Sequence, residues 1–186
     1  MKDLSTGYPS LKSPFALGPF TLKNRLVMAP VITGMEASPS ISRIRDFYEK
    51  RAAGGASMIT VSEAVVDKSG RRFSYEHAFG PDDVALHKPV VKAIHKHDCL
   101  AVLQLVHLGI DADVSVVSSA VNTQSRLTGR HGWPIRSTDL NRIVHLYGYV
   151  AQLAVDAAYD GVEIDASGAG LIADFLSPVT NRRTIS

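Results

Sequence analysis

Few residues of this chain are of a type and placement that could do chemistry, and most of them fall at the carboxyl ends of apolar runs. Gln104 interrupts the run Leu100-Ala-Val-Leu-Gln-Leu105. An amide offers a donor and an acceptor together, and a polar group inside a strand must find a partner, either a ligand or the backbone and water of an ordinary core. His107 stands two residues beyond Leu105 and either faces the mouth of that strand or is a loop histidine with no chemical task. Asp165 closes the run Gly161-Val-Glu-Ile and is followed by Ser167-Gly-Ala-Gly170, a flexible turn where backbone can approach a ligand closely. An ionised carboxylate at that point accepts hydrogen bonds and cannot donate them. The remaining histidines, His77, His87, His95, His97, His131 and His145, form no metal-ligand constellation, so no metal site is expected. His95 and His97 suit a helix C-terminus, where partial positive charge is favoured. The single cysteine, Cys99, excludes an intrachain disulfide, fits a reducing compartment and reads as a packed thiol rather than a nucleophile.

The elements that must position these groups follow from hydrophobic patterning. With 45% hydrophobic residues and both charge signs mixed to a formal net charge of +2, the 186 residues suit a globular domain with a sizeable core. The charge is too small to imply nucleic acid or a membrane surface, and the pairs Arg71-Arg72 and Arg182-Arg183 read as solvated faces. The stretch Met1 to Pro9 lacks the apolar core of a signal peptide and no run reaches transmembrane length, so a cytoplasmic protein is expected. Residues Leu11 to Lys23, broken by Pro14, Gly18 and Pro19, suit a short hairpin or an irregular lead-in. Strands are expected near residues 25–30, 57–62, 101–105 and 161–165. A helix opening at Pro39 and Ser40 would bury Ile41, Ile44, Tyr48 and Ala52 and end at Gly54-Gly55. A second would start at Pro81-Asp82-Asp83, bury Val84, His87, Val91 and Ile94, and be distorted by Pro89. A third, capped by Ser137 or Thr138, carries the stripe Ile143, Tyr147, Val150, Ala151, Ala154 and Ala158. Between Val106 and Arg136 no periodicity holds, and that connection is a lid, a binding loop or a partly disordered segment. Strands apolar along their length, alternating with helices, imply an α/β protein with parallel pairing.

Four ordered stretches carry a family likeness. They are Leu22-Lys-Asn-Arg-Leu-Val-Met-Ala-Pro30; Tyr48-x-x-Arg51-Ala-x-Gly-Gly55 through Ser62-Glu63-Ala64; Leu103-Gln-Leu-x-His-x-Gly109; and Gly161-Val-Glu-Ile164 through Phe175-Leu-Ser-Pro178-x-x-Asn181-x-Arg183-Thr184. Together they resemble the Old Yellow Enzyme family of FMN-dependent oxidoreductases, on its enoate and dienoyl reductase side, from Leu11 to Thr184. The resemblance implies a partial (β/α)8 TIM barrel of about four βα units, with residues 1–186 forming a single truncated domain that corresponds to the N-terminal half. A full barrel takes about 250 residues. The resemblance places the backbone of Ala29, Pro30, Val31 and Ile32 along the edge of the isoalloxazine ring, with Ala64 and Gln104 at its pyrimidine end.

The same resemblance puts the family's carbonyl-binding His and Asn and its proton-donating Tyr on Asp165, Gly168 and Gly170, none of which has the required side chain. It therefore implies an NAD(P)H-dependent, FMN-linked oxidoreductase of the ene-reductase type, acting on α,β-unsaturated carbonyl compounds, that is truncated and catalytically impaired. The phosphate site belongs to later strands of the family, so the isolated chain is expected to bind FMN weakly or not at all. Open barrel edges imply self-association. The alternatives are a cofactor-free half-barrel that binds a small molecule or a partner, and a gene fragment without independent function.

Overall fold

The computed structural model describes residues 8–35, 40–113, 118–125, 128–168 and 170–184. Pro39, Ala169 and the stretch Met1 to Gly7, on which parts of the reading above fall, lie outside the described residues. In chain order the elements are α1 (Pro9–Lys12), β1 (Phe15–Leu17), β2 (Phe20–Leu22), β3 (Val27–Met28), α2 (Ile41–Ala53), β4 (Met58–Val65), α3 (Pro81–His95), β5 (Leu100–Val106), β6 (Ser118–Ser119), β7 (Thr123–Gln124), β8 (His131–Pro134), α4 (Ser137–Asp156), β9 (Gly161–Ile164) and α5 (Leu171–Leu176).

The main sheet has the order β3-β4-β5-β9. β3 runs parallel to β4, with Val27 opposite Met58. β4 and β5 begin together, Leu100 N–H donating to Ser57 C=O, and finish together, Val66 N–H donating to Val106 C=O, which only parallel strands can do. β5 and β9 are parallel by the same test: Asp160 N–H donates to Ala101 C=O and Asp165 N–H to Leu105 C=O. All four expected strands are present with altered ends. The first is only two residues long, because the Asn24 side chain accepts from Leu26 N–H at 2.9 Å and donates to Gly55 C=O at 2.9 Å, holding the preceding residues in a turn. The second runs on to Val65, so Glu63 and Ala64 are strand residues rather than residues just beyond it.

The chain divides into two compact units. The first comprises Met1–Ser62, Asp82–Leu103 and Ala154–Val162. It holds the antiparallel hairpin β1-β2, the helices α2 and α3, and the amino ends of β4, β5 and β9. Tyr48 and Ala52 of α2, Ile94 of α3, and Ile59, Val61, Ala101 and Leu103 of the strands are fully buried here. Gly55 leaves α2 with φ +107, a conformation that a side chain would strain, which explains the glycine at this stop. Pro89 lies inside α3, exposed, without ending it. Tyr159 is 6% exposed and its hydroxyl lies 2.7 Å from His87 Nδ1, so this half-buried histidine leans on the core, and burial pushes it down to about 4. The thiol of Cys99 is buried, which pushes it up to about 11.

The second unit comprises Glu63–Pro81, Gln104–Leu153 and Glu163–Ser186, and so contains the carboxyl ends of the same strands. The connection from Val106 to Arg136, expected to be a lid or a loop, holds a three-stranded sheet of order β6-β8-β7, with β6 parallel and β7 antiparallel to β8. Strands of two to four residues leave no period to detect. α4 starts at Ser137, so Ser137 is the first helical residue and not its cap; Arg136 C=O accepts from Leu140 N–H at 2.9 Å. Ile143, Val150, Leu153 and Ala154 are its buried face, Ala157 is buried just past its end, and Ala158 takes φ +70. Among the described residues no helix is long and apolar enough to cross a membrane.

Candidate functional site

The polar residues at the strand carboxyl ends lie in the second unit. Gln104 is 8% exposed, and its Nε2 donates to Glu163 Oε1 at 3.0 Å. The two side chains project from β5 and β9, two parallel strands that are neighbours in the sheet, so each fixes the rotamer of the other. Glu163 was not singled out by sequence, although the alternation of a strand puts it on the same face as Asp165, two residues on. Ala64 is 1% exposed, backbone and methyl group alike.

Asp165 follows β9 and is a turn former. Its Oδ1 accepts from Ser167 N–H at 2.9 Å and from Ser167 Oγ at 2.7 Å, so the carboxylate closes an Asx turn and presents no donor. Gly168 takes φ +61, and Gly170 starts the short helix α5 with its N–H donating to Ser167 C=O. A Cβ at Gly170 would meet nothing nearer than 3.4 Å. A side chain at Gly170 would therefore meet no close neighbour. Ala29, Pro30, Val31 and Ile32 belong to the first unit and follow β3; Val31 and Ile32 are exposed apolar residues.

His107 corrects the first of the two readings offered for it. It is 2% exposed and lies in the loop just after β5, so it does not face a mouth; it is a loop histidine, but a packed one. Gly109 N–H donates to its Nδ1 at 3.1 Å, which leaves Nε2 as the protonated nitrogen, 3.1 Å from Ser69 Oγ. Ser69 Oγ in turn hydrogen-bonds Asp67 Oδ1, and Arg142 Nη1 donates to Asp67 Oδ2. The donors all run one way, from imidazole to hydroxyl to carboxylate. Ser69 gives its proton to Asp67 and receives one from His107, so this Ser-His-Asp set is not a nucleophile facing a base. Burial alone would raise Asp67, but the hydrogen bonds from Arg142 and Ser69 and the Arg142 charge outweigh it and hold the carboxyl down at about 2. Burial pushes His107 down to about 4, against the pull of Asp67. A Cβ on Gly70 would fall 2.5 Å from His107 Cγ, so glycine is required for the imidazole to pack. The backbone of His107 then anchors α5, its C=O accepting from Leu171 N–H at 2.8 Å.

Glu63, beside Ala64 on β4, is a half-buried ionisable group. Burial pushes its carboxyl up to about 7, with Arg72 pulling it back and Glu76 adding to the rise. Among the described residues no group of three or more His, Cys, Asp or Glu could hold a metal ion.

A family model described as "NADH:flavin oxidoreductase / NADH oxidase family" matches residues 10–185. An NADPH dehydrogenase of Halalkalibacterium halodurans is 32% identical over 184 residues, covering 94% of this chain and 53% of that protein. A metal reductase of Desulforamulus reducens is 30% identical over 181 residues, covering 94% of this chain and 27% of that protein. Among solved structures, morphinone reductase in complex with tetrahydroNAD superposes with a TM-score of 0.83 at 26% identity, covering 95% of this chain and 54% of that one. The Old Yellow Enzyme homologue from Zymomonas mobilis gives a TM-score of 0.83 at 26% identity, covering 94% and 53%. The chain thus spans about half the length of the NADPH dehydrogenase and of these two structures, and the α/β fold is that of a partial TIM barrel. This chain belongs to the NADH:flavin oxidoreductase / NADH oxidase family.

Proposed function

We propose that the chain is the FMN-binding-ring half of an NAD(P)H-dependent oxidoreductase of the ene-reductase type, and that alone it is catalytically impaired. The family match over residues 10–185 carries this reading. What individual residues offer a flavin ring supports the reading. Val31 and Ile32 offer exposed apolar surface after β3, and Gln104 offers an amide whose orientation Glu163 fixes. Ala29, Pro30, Val31, Ile32, Ala64 and Gln104 would hold it. When bound, FMN supplies hydride transfer between a nicotinamide and an α,β-unsaturated carbonyl compound.

The chain's own contribution to that chemistry is incomplete. Polarising a substrate carbonyl requires donors, and loss of one such donor typically costs about 10²–10³ in rate. Asp165 accepts from Ser167 instead of donating, and Gly168 and Gly170 offer no side chain. These features favour a second reading, a cofactor-free half-barrel that binds a small molecule or another chain. A phosphate needs backbone amides, helix N-termini or arginines arranged around it, which the family places on later strands, so FMN affinity of this chain is weak unless a partner supplies them.

Titration of FMN with the purified chain, followed by flavin fluorescence, separates the two readings. Weak quenching with micromolar or poorer affinity, lost in Gln104→Leu, is expected, together with no measurable NAD(P)H-dependent reduction of a simple enone. No quenching at millimolar protein would leave the cofactor-free reading in place. A yellow protein that retains flavin through purification and turns over an enone would overturn the proposed impairment.

A further inference from the structure

The segment Arg71 to Glu76 gathers polar atoms that neither the core nor the flavin reading uses. Among the described residues, five buried side-chain nitrogen and oxygen atoms have no hydrogen-bond partner, and three of them are Glu63 Oε1, Arg71 Nε and Arg72 Nε. Such atoms are costly to leave unpaired, and two of these face each other while the third belongs to the next residue in the chain, so they call for an explanation. Arg71 makes no side-chain hydrogen bond or ion pair with any described residue. Arg72 pairs with Glu63 at 3.6 Å, too long for a hydrogen bond. Glu63 is moreover a poor counter-charge at neutral pH, since burial raises its carboxyl to about 7.

The same segment presents a flat aromatic surface. Glu76 Oε2 accepts from Arg72 N–H at 2.6 Å and from Phe73 N–H at 3.0 Å, and Glu76 N–H donates to Phe73 C=O at 3.1 Å, which fixes a tight turn. On that turn the rings of Phe73 and Tyr75 stack 5.2 Å apart with planes 11° from parallel, and both residues remain exposed, at 37% and 43%. A held turn keeps this surface in place before any ligand arrives, which lowers the ordering cost of binding.

We propose that this turn binds a planar aromatic anion, with the ring on the Phe73–Tyr75 stack and the oxyanion taken by the guanidinium groups of Arg71 and Arg72. Guanidinium groups match carboxylate and phosphate in charge and fork geometry, and a flat ring on an aromatic side chain is favoured whatever its substituents. An aryl carboxylate and a nucleoside monophosphate share this chemistry. The proposal does not depend on flavin binding, and its test uses none.

Isothermal titration of the full chain at low ionic strength with benzoate and AMP, each against its uncharged counterpart, benzamide and adenosine, is the test. At least one anion is expected to bind, about tenfold more tightly than its uncharged counterpart. Arg71→Gln should weaken it about tenfold and Tyr75→Ser about fivefold, as loss of a charge-assisted hydrogen bond and of a stacking face would. Binding of AMP alone assigns a nucleoside phosphate, and binding of benzoate alone an aryl carboxylate. Tyr75 is exposed, so Tyr75→Ser keeps the test decisive if Arg71→Gln does not fold. No binding of either anion at millimolar concentration overturns the proposal, as does binding that both variants leave unchanged.

Discussion

His107 and Gln104 sit three residues apart and show how far single residues can be read from sequence. For Gln104 the inference ran from a physical requirement, a polar side chain inside an apolar strand, and the structure meets it with Glu163 at 3.0 Å. For His107 no such requirement existed, because its burial depends on Gly70, Ser69 and Asp67, close to forty residues away, and on Arg142 beyond them. The consequence is a pH dependence of stability. His87 and His107 are lowered to about 4 in the fold against 6.5 unfolded, so between those values the unfolded chain binds more protons and stability falls as pH falls. Each contributes up to about 3 kcal/mol of loss over that window. Asp67, held at about 2, contributes stability that is present above its unfolded value near 4 and is lost as pH falls through 2. Urea unfolding at a series of pH values should therefore show the midpoint dropping from pH 6.5 downward, with a shallower drop over pH 6.5 to 4 in His107→Gln. Glu63, raised to about 7, pulls the other way down to its unfolded value near 4.5, so the deciding quantity is the difference between wild type and His107→Gln: equal slopes over pH 6.5 to 4 would show that the His107 imidazole is not buried neutral.

At the level of elements, what could be read was what carries a period or a composition. The strands of the main sheet are apolar runs bounded by turn residues, and α2, α3 and α4 carry stripes that bury Tyr48, Ile94 and Ile143. The small sheet of β6, β7 and β8 could not be read, since its order is set by contacts outside its own residues. Asp174 is the main one. It is 6% exposed on α5, and its Oδ2 accepts from Ser119 Oγ at 2.9 Å and from Ala120 N–H at 2.8 Å, which joins α5 to the end of β6. Asp174→Ala would leave the buried Ala120 N–H without its acceptor and the Ser119 hydroxyl without the carboxylate it donates to, and should destabilise by about 1–3 kcal/mol. Hydrogen exchange reports where that loss falls: the Ala120 amide should lose protection in the variant while the Ile59 and Leu103 amides of the main sheet keep theirs relative to global unfolding. Uniform loss across all three would mean that α5 and β6 unfold only with everything else.

For the molecule as a whole, the family frame could be read because four motifs kept their order from Leu22 to Thr184, whereas assembly depends on surfaces that a sequence pattern does not display. Among the described residues β9 ends the main sheet, so one row of its N–H and C=O groups has no partner strand there. Its Val162 and Ile164 are 36% and 53% exposed, unusual for a strand whose parallel neighbours are almost wholly buried. β3 ends the other side and is equally open, with Val27 at 47%. Apolar strand edges of this kind promote pairing, and natural sheets blunt them with charges or proline, neither of which interrupts Gly161–Ile164 except at Glu163, whose carboxylate is held by Gln104. Association through β9 is therefore the expected state of the isolated chain. Light scattering should give a mass near twice the 20.0 kDa of one chain, or larger. Ile164→Lys, which places a charge on the exposed face of the edge without touching the buried side of the strand, should shift the population toward monomer. If the wild-type chain is a stable, monodisperse monomer of 20.0 kDa at micromolar concentration, the β9 edge is not an association surface and its exposed residues need another explanation.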